Sequence, residues 1–285
     1  ANHAGDANYA AATAVAKTFS ITQANNSISF GAAPTGLTYG ETGQTRTVTA
    51  TATNGTIQFS TSSATCSVNA STGVVTILGA GSCDIVASAT SVSGNYVTPT
   101  PQTQTLSIAQ AANSITWSQT LGNVTYGAST VSLTATATNG SVSYSTSDIN
   151  VCSVSGSTLS ITGAGTCVVT ANQSGSSNYL AATAVSKTFS IAQAANSISF
   201  GAAPTGLTYG ETGQTRTVTA TATSGTVQFS TTSNTCSVNA STGVVTILRA
   251  GSCVITASAT SVSGNYVAPV SQTQTLNIAT ATVTA

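Results

Sequence analysis

Charged residues are nearly absent from this sequence. Only 4% of its 285 residues are charged, five of them basic and five acidic, so the formal net charge is zero. Because nucleic-acid phosphates are bound by clustered Lys and Arg, five dispersed cations argue against a nucleic-acid partner. The same shortage argues against a polybasic contact with a membrane surface.

The residues of catalytic and metal sites are scarce as well. His3 is the only histidine, and the few carboxylates are spread along the chain. A Ser-His-Asp triad, a carboxylate pair for glycoside hydrolysis and a calcium site each need more of these residues in one place. We therefore predict no enzyme, no metal site and no cofactor.

Long apolar runs are also missing. No stretch approaches the ~20 apolar residues of a transmembrane helix, so no membrane-spanning segment is predicted. The chain does not begin with Met and shows no signal peptide, and we interpret it as a mature fragment or a window of something longer.

What the sequence has is alternation. Hydrophobic residues make up 40% of the chain and alternate with Thr and Ser. This content excludes a disordered Ser/Thr chain, and the period of two predicts half-buried strands. No stretch shows a sustained helical period, so the fold class is predicted to be all-β.

The chain repeats itself. The segment that begins SISFGAAPTGLTYGETGQTRTVTATAT at Ser27 recurs at Ser197, an offset of 170. A more divergent copy lies between them, in which Phe30 corresponds to Trp117 and Tyr39 to Tyr126. The unit is therefore about 85 residues long, and two subtypes alternate.

Short joints beginning Gln-Ala set the predicted boundaries. Because these joints lack Gly and Pro, we expect limited bending between units. Residues 1–22 are predicted to be closing strands of a preceding repeat, followed by repeats 1, 2 and 3 and by the start of a further segment, over residues 23–109, 110–192, 193–279 and 280–285.

Each unit is predicted to hold about seven strands. Asn54-Gly55 is a strong hairpin signal, and a second hairpin is predicted to turn over residues 69–73. Seven short strands with turns at this spacing are typical of an immunoglobulin-like β-sandwich. In repeat 1 we place them at residues 27–30, 45–53, 56–60, 65–69, 74–78, 83–89 and 102–108.

Six cysteines fall two to a unit. An even count with spacings of 17, 15 and 17 predicts three disulfides within the units and an oxidising compartment. The alternative is three pairs of reduced, buried thiols. The predicted pairs are Cys66 with Cys83, Cys152 with Cys167, and Cys236 with Cys253.

The run from Cys152 to Ile191 resembles the bacterial immunoglobulin-like (Big-type) repeats of large secreted and cell-surface proteins. It carries a Cys, a short hairpin, an A-G-T-C turn, an N-Y pair and a closing T-F-S-I strand. The resemblance implies tandem sandwiches in a linear, rod-like array that lies outside the cell. It also implies a role as a spacer, stalk or fibre segment of an adhesin or similar surface protein. The resemblance gives almost no information about activity.

Two side-chain interpretations depend on the repeat. Lys187 and Asp148 could belong to an isopeptide bond, with a lysine at a sheet edge as the plainer alternative. Aromatic slots that alternate between Phe, Tyr and Trp predict core or joint packing. The tyrosines of the N-Y pairs (Tyr9, Tyr96, Tyr179 and Tyr266) could tie a loop to the sandwich through the hydroxyl, as a tyrosine corner does.

Three functions stay open. The first is a structural segment giving length and rigidity, whose partners are neighbouring repeats and, in a fibre, like subunits. At ~3.3 Å per strand residue, three units would span about 100 Å. The second is a loop-mediated binding module for carbohydrate or protein. The third is a filament subunit assembled by strand donation, because Val15, Phe19 and Ile21 lie in an orphan hairpin.

Overall fold

The computed structural model describes residues 1–41, 45–210 and 215–282. The described residues form strands and no helix, which confirms the all-β prediction. Two compact units are distinguished: residues 1–113 with 174–181, and residues 114–173 with 182–285. In the described ranges, no helix has the length and apolarity needed to cross a membrane.

The described residues of the first unit form nine strands arranged as a β-sandwich. A four-stranded sheet has the order β2-β9-β8-β5, and the facing strands pair as β1-β4 and β3-β7-β6. The strands are β1 Ile28–Phe30, β2 Leu37–Thr38, β3 Arg46–Thr47, β4 Ala50–Ala52, β5 Thr56–Ser60, β6 Cys66–Val68, β7 Val74–Ile77, β8 Gly81–Thr90 and β9 Gln102–Ala109.

The structure differs from the strand prediction in two places. Residues 45–53, predicted as one strand, are divided into β3 and β4, because β3 pairs with β7 while β4 pairs with β1. The two-residue strand β2 was missed. It pairs in parallel with the distant β9, with Leu37 opposite Ile108, and no local pattern reports such a pairing.

Residues 1–22 form no strand. A single bridge joins His3 to Ala12, and the side chains of Phe19 and Ile21 are 85% and 86% exposed. Their counterparts Phe189 and Ile191 are buried. The sequence predicts closing strands over residues 1–22. Phe189 and Ile191 are buried because their strand pairs along Gly165–Gln173 and covers a core, whereas residues 1–22 make no such pairing.

The second unit contains two sandwiches with the same topology. Each has a four-stranded sheet. It consists of a two-residue strand, the closing strand that pairs with it in parallel, the long strand before the closing strand, and the strand that follows the Asn-Gly or Ser-Gly turn. The first has β10 Ile115–Thr116, β11 Val124–Thr125, β12 Val131–Ser132, β13 Thr136–Ala137, β14 Ser143–Thr146, β15 Cys152–Ser155, β16 Thr158–Ile161, β17 Gly165–Gln173 and β18 Ala182–Ala192. The second has β19 Ile198–Phe200, β20 Leu207–Thr208, β21 Thr215–Thr217, β22 Ala220–Ala222, β23 Thr226–Thr231, β24 Cys236–Val238, β25 Val244–Ile247, β26 Gly251–Thr260 and β27 Gln272–Ala279.

Among the residues that the structure describes, three separate hydrophobic cores lie inside these sandwiches. Alternate residues of each long strand point inward: in β8, Cys83, Ile85 and Ala87 are all fully buried. The third core repeats the buried positions of the first one by one at the offset of 170, from Ile28 and Ile198 to Ile108 and Ile278. The middle core is built around Trp117, Leu159 and Phe189.

Tight turns fix the register of the hairpins. Gly55 adopts φ 103° after Asn54, so the glycine supplies the positive φ that this turn requires. At residues 69–73, the Asn69 side chain accepts hydrogen bonds from the backbone N–H groups of Ser71 and Thr72. Both predicted turns are found where the sequence places them.

Candidate functional site

Each core contains one disulfide. Cys66 joins β6 to Cys83 of β8, with their Cα atoms 5.9 Å apart, and the bond connects the two sheets. The equivalent bonds link Cys152 to Cys167 and Cys236 to Cys253, with Cα separations of 5.8 Å in both. All six residues are buried, so each bond lies within a core rather than at a reactive surface.

Carboxylates and histidine do not gather at one place in the described parts of the chain. Within them, no group of three or more His, Cys, Asp or Glu residues could hold a metal ion. Asp84 accepts a hydrogen bond from the Thr105 hydroxyl (2.6 Å), and Asp148 accepts one from the Asn150 N–H (2.9 Å). These carboxylates are therefore occupied locally, in a strand pair and in a turn.

Lys187 contacts an aromatic ring. Its Nζ lies 5.4 Å from the centroid of the Trp117 ring, a separation at which a cation is attracted to the ring face. The indole N–H donates to the side-chain oxygen of Gln119 (3.1 Å), so the polar edge of the buried ring is also satisfied. Lys187 thus contacts Trp117, while Asp148 is exposed and begins a turn.

The alternating aromatic slots pack against one another, as the repeat predicts. Phe30 lies against Phe59 and Trp117 against Tyr144, with ring centroids 6.3 and 5.7 Å apart. The Tyr144 hydroxyl accepts from the Ala135 N–H (2.7 Å) and donates to the Ala135 carbonyl (3.3 Å). A hydroxyl tie of the kind expected for the N-Y tyrosines is therefore found at Tyr144.

The tyrosines of the N-Y pairs have a different role. The Tyr179 ring meets Tyr39 edge-on at 5.6 Å, and the Tyr266 ring meets Tyr126 in the same way at 5.5 Å. Sequence reasoning placed these side chains at joints or in cores but did not identify their partners. The matching signal in the sequence is the recurrence of one tyrosine after each T-G-L-T or G-N-V-T segment and another in each N-Y pair.

One apolar cavity lies beside the middle core. It is lined by Leu121, Val131, Leu159, Ile161 and Phe189, among others. Its wall includes residues 120–124, where the middle repeat departs from the A-P-T-G-L segment of the other two. The lining carries no charged side chain, so it offers no group for acid–base chemistry.

Comparison with known proteins gives distant structural similarities only. No family model matches the chain, and no curated protein matches it. Drosophila N-cadherin EC1-4 is 11% identical over 90% of this chain and 73% of its own, with a TM-score of 0.28. Mouse protocadherin-24 EC1-3 is 15% identical over 79% and 90%, with a TM-score of 0.30. The S-layer protein rSbsC is 16% identical over 78% and 35%, with a TM-score of 0.28.

Proposed function

We propose that this chain is a structural segment of an extracellular stalk or fibre, in which tandem sandwiches give length and rigidity. The observation that carries the proposal is the set of three separate cores, of which the third duplicates the first position by position. Each core closes on its own strands, so copies can be added without rebuilding a shared core. Such duplication changes the length of the segment and not its reactivity.

The proposed repeats extend over residues 23–109, 110–192 and 193–279, and each one includes one of the cores. Their partners are the neighbouring repeats of the same chain. A disulfide in each core supports an oxidising, extracellular location, since such bonds persist outside the reducing cytosol. The scattered carboxylates and the occupied Asp84 and Asp148 support a non-catalytic role.

Immunogold electron microscopy of the native material tests this proposal. An antibody against the chain should label projections outside the cell, and non-reducing peptide mapping should recover the three Cys–Cys pairs within their repeats. Intracellular label together with free thiols would contradict it. A glycan array probes the binding-module alternative in parallel, which predicts hits that a structural segment does not.

A filament joined by strand donation is a second candidate. The exposed Phe19 and Ile21 favour it, because they belong to a segment whose counterpart is buried at Phe189 and Ile191. Against it, the third core is already covered by Leu276 and Ile278 of its own closing strand. Strand donation predicts concentration-dependent polymers that disappear in the Phe19→Ser/Ile21→Ser variant. A monomer at all concentrations rejects it.

A further inference from the structure

A loop of each repeat reaches outside its own strand pair. These loops, here called the Asn–Tyr loops, are residues 91–98, 174–181 and 261–268, and each connects the last two long strands of a repeat. The loop 174–181 belongs to the first compact unit, although the strands β17 and β18 on either side of it belong to the second. Its contacts are therefore with the β1–β9 sandwich that precedes it in the chain.

The joint residues hold each Asn–Tyr loop by its backbone. Ala111 donates to the Asn178 carbonyl and accepts from the Leu180 N–H, both at 2.9 Å, and the Gln110 amide donates to the Ser176 carbonyl (2.7 Å). The same bonds recur around Ala194 and Gln193. Each of these short Gln-Ala joints is thus hydrogen-bonded to the Asn–Tyr loop of its own repeat.

The asparagine side chain makes the contact with the preceding sandwich. The Oδ1 of Asn178 accepts a hydrogen bond from the backbone N–H of Ala80 (2.9 Å), in the turn between β7 and β8. The Oδ1 of Asn265 accepts one from Ala164 (2.8 Å), in the equivalent turn between β16 and β17. Each bond satisfies a backbone donor that the turn leaves without a partner in its own sheet.

The tyrosine beside that asparagine completes the contact. Tyr179 packs on Tyr39, and Tyr266 packs on Tyr126, in edge-on geometry that favours aromatic pairs. Tyr39 and Tyr126 are half-buried, whereas the equivalent Tyr209 is 47% exposed and has no ring partner in the described ranges. The burial of this tyrosine therefore depends on the loop that covers it.

A glycine next to the turn leaves room for the asparagine. A Cβ at Gly79 would lie 3.2 Å from the Asn178 Oδ1. One at Gly163 would lie 3.1 Å from the Asn265 Oδ1 and closer still to the Asn150 carbonyl oxygen of its own repeat. Both glycines are buried. The third repeat has Arg249 at this position, with the same backbone hydrogen bond to the preceding loop: Arg249 N–H to Thr235 O, like Gly79 N–H to Thr65 O, both 3.0 Å.

From these contacts we infer that the Asn–Tyr loop is a clasp by which each repeat binds the repeat before it. The site on the preceding repeat consists of the tyrosine after β2, the glycine and the following backbone N–H. Its ligand is the Asn–Tyr pair of the next repeat. Arg249 removes the room for this ligand, so the third repeat presents a face of different specificity. The inference rests on the proposed structural function and names the residues that would supply its rigidity.

Hydrogen exchange of single amides in the full chain tests the clasp. Asn178→Ala should speed exchange of the Ala80 amide about fivefold or more, which corresponds to the loss of one hydrogen bond, and leave the Ala164 amide unchanged. Asn265→Ala should do the reverse. Asn95→Ala is the matched control, because the Asn95 side chain is exposed and bonds to no other described residue. Gly79→Arg, which copies Arg249, should reproduce the effect of Asn178→Ala.

Domain motion gives the second measurement. Nitrogen-15 relaxation should show the first two repeats tumbling together in the wild type and separately in the Asn178→Ala/Tyr179→Ala variant, with all three cores intact. Unchanged Ala80 exchange, or unchanged tumbling in the double variant, overturns the clasp. Failure of the proposed function is distinguishable, because intracellular label with free thiols in the native material would reject that function without changing either measurement on the clasp.

Discussion

The ammonium group of Lys187 lies 5.4 Å from the centroid of the Trp117 ring, across the face of the middle sandwich. In the other two repeats, the lysine position is occupied by Gln104 and Gln274, whose amides donate to the carbonyls of Gly31 and Gly201 (2.9 and 2.8 Å). The same slot is thus filled by a cation–aromatic pair in one subtype and by an amide–backbone pair in the other. This exchange is one of the differences between the two subtypes.

The Lys187→Gln variant should destabilise the middle repeat only. A half-buried cation over an aromatic ring contributes about 0.5–1 kcal/mol. In a double-mutant cycle with Trp117→Leu, which removes the aromatic ring, the coupling between the two positions should be of that size, as measured by denaturant unfolding with a probe in the middle core. Intact mass spectrometry provides a control, because an isopeptide bond at Lys187 would release ammonia if it joined an asparagine and water if it joined an aspartate. Either loss would contradict the cation–aromatic assignment.

Removing one disulfide should weaken one core. The Cys152→Ala/Cys167→Ala variant opens a loop with a sequence separation of 15, and such a bond contributes about 3 kcal/mol. Chemical denaturation should then show a lowered transition for the middle repeat and unchanged transitions for the others. The Cys66→Ala/Cys83→Ala variant is the matched comparison and should shift the first repeat instead. A single shared transition that moves in both variants would mean that the cores are not independent.

We expect the Tyr144 hydroxyl to contribute measurably to the stability of the middle repeat. Tyr144→Phe installs the residue found at Phe59 and Phe229, so the ring fits the slot, but the Ala135 N–H loses its partner at 2.7 Å. We expect a loss of about 1 kcal/mol in the free energy of unfolding of the middle repeat. Phe59→Leu, which removes ring contacts without touching a hydroxyl, separates the packing effect from the hydrogen bond. An unchanged stability in Tyr144→Phe contradicts the expectation.

Gly73 should tolerate no side chain. It adopts φ 69°, and a Cβ there would press on the Val48 carbonyl and approach the Phe59 ring. Gly73→Ala should destabilise the first repeat by more than about 1 kcal/mol, measured as a shift of its unfolding midpoint. Gly94→Ala is the control, because a Cβ at Gly94 meets nothing within 4 Å. Equal effects in the two variants would argue against the steric reason.

Local signals in the sequence predicted the parts of the fold that depend on local geometry. The strand β5 was predicted at residues 56–60, where it lies, because Asn54-Gly55 sets its start and alternation its register. The division between β3 and β4 was not predictable in this way. Val48 and Ala50 continue one alternation, and only the choice of partner strand separates the two pieces.

The contacts at the joints could not be predicted from the sequence for the same reason. Recurring tyrosines indicated shared packing slots, but nothing local states that Tyr179 lies against Tyr39 or that Asn178 bonds to Ala80. Those contacts join residues about one repeat or more apart. Sequence reasoning therefore assigned the N-Y tyrosines a hydroxyl tie that the structure places at Tyr144.

Small-angle X-ray scattering of the full chain tests the central claim most directly. If independent sandwiches are joined end to end to give reach, the radius of gyration should be about 30 Å, as for a rod about 100 Å long. A value of about 19 Å, expected for a single compact body of 285 residues, would contradict the account.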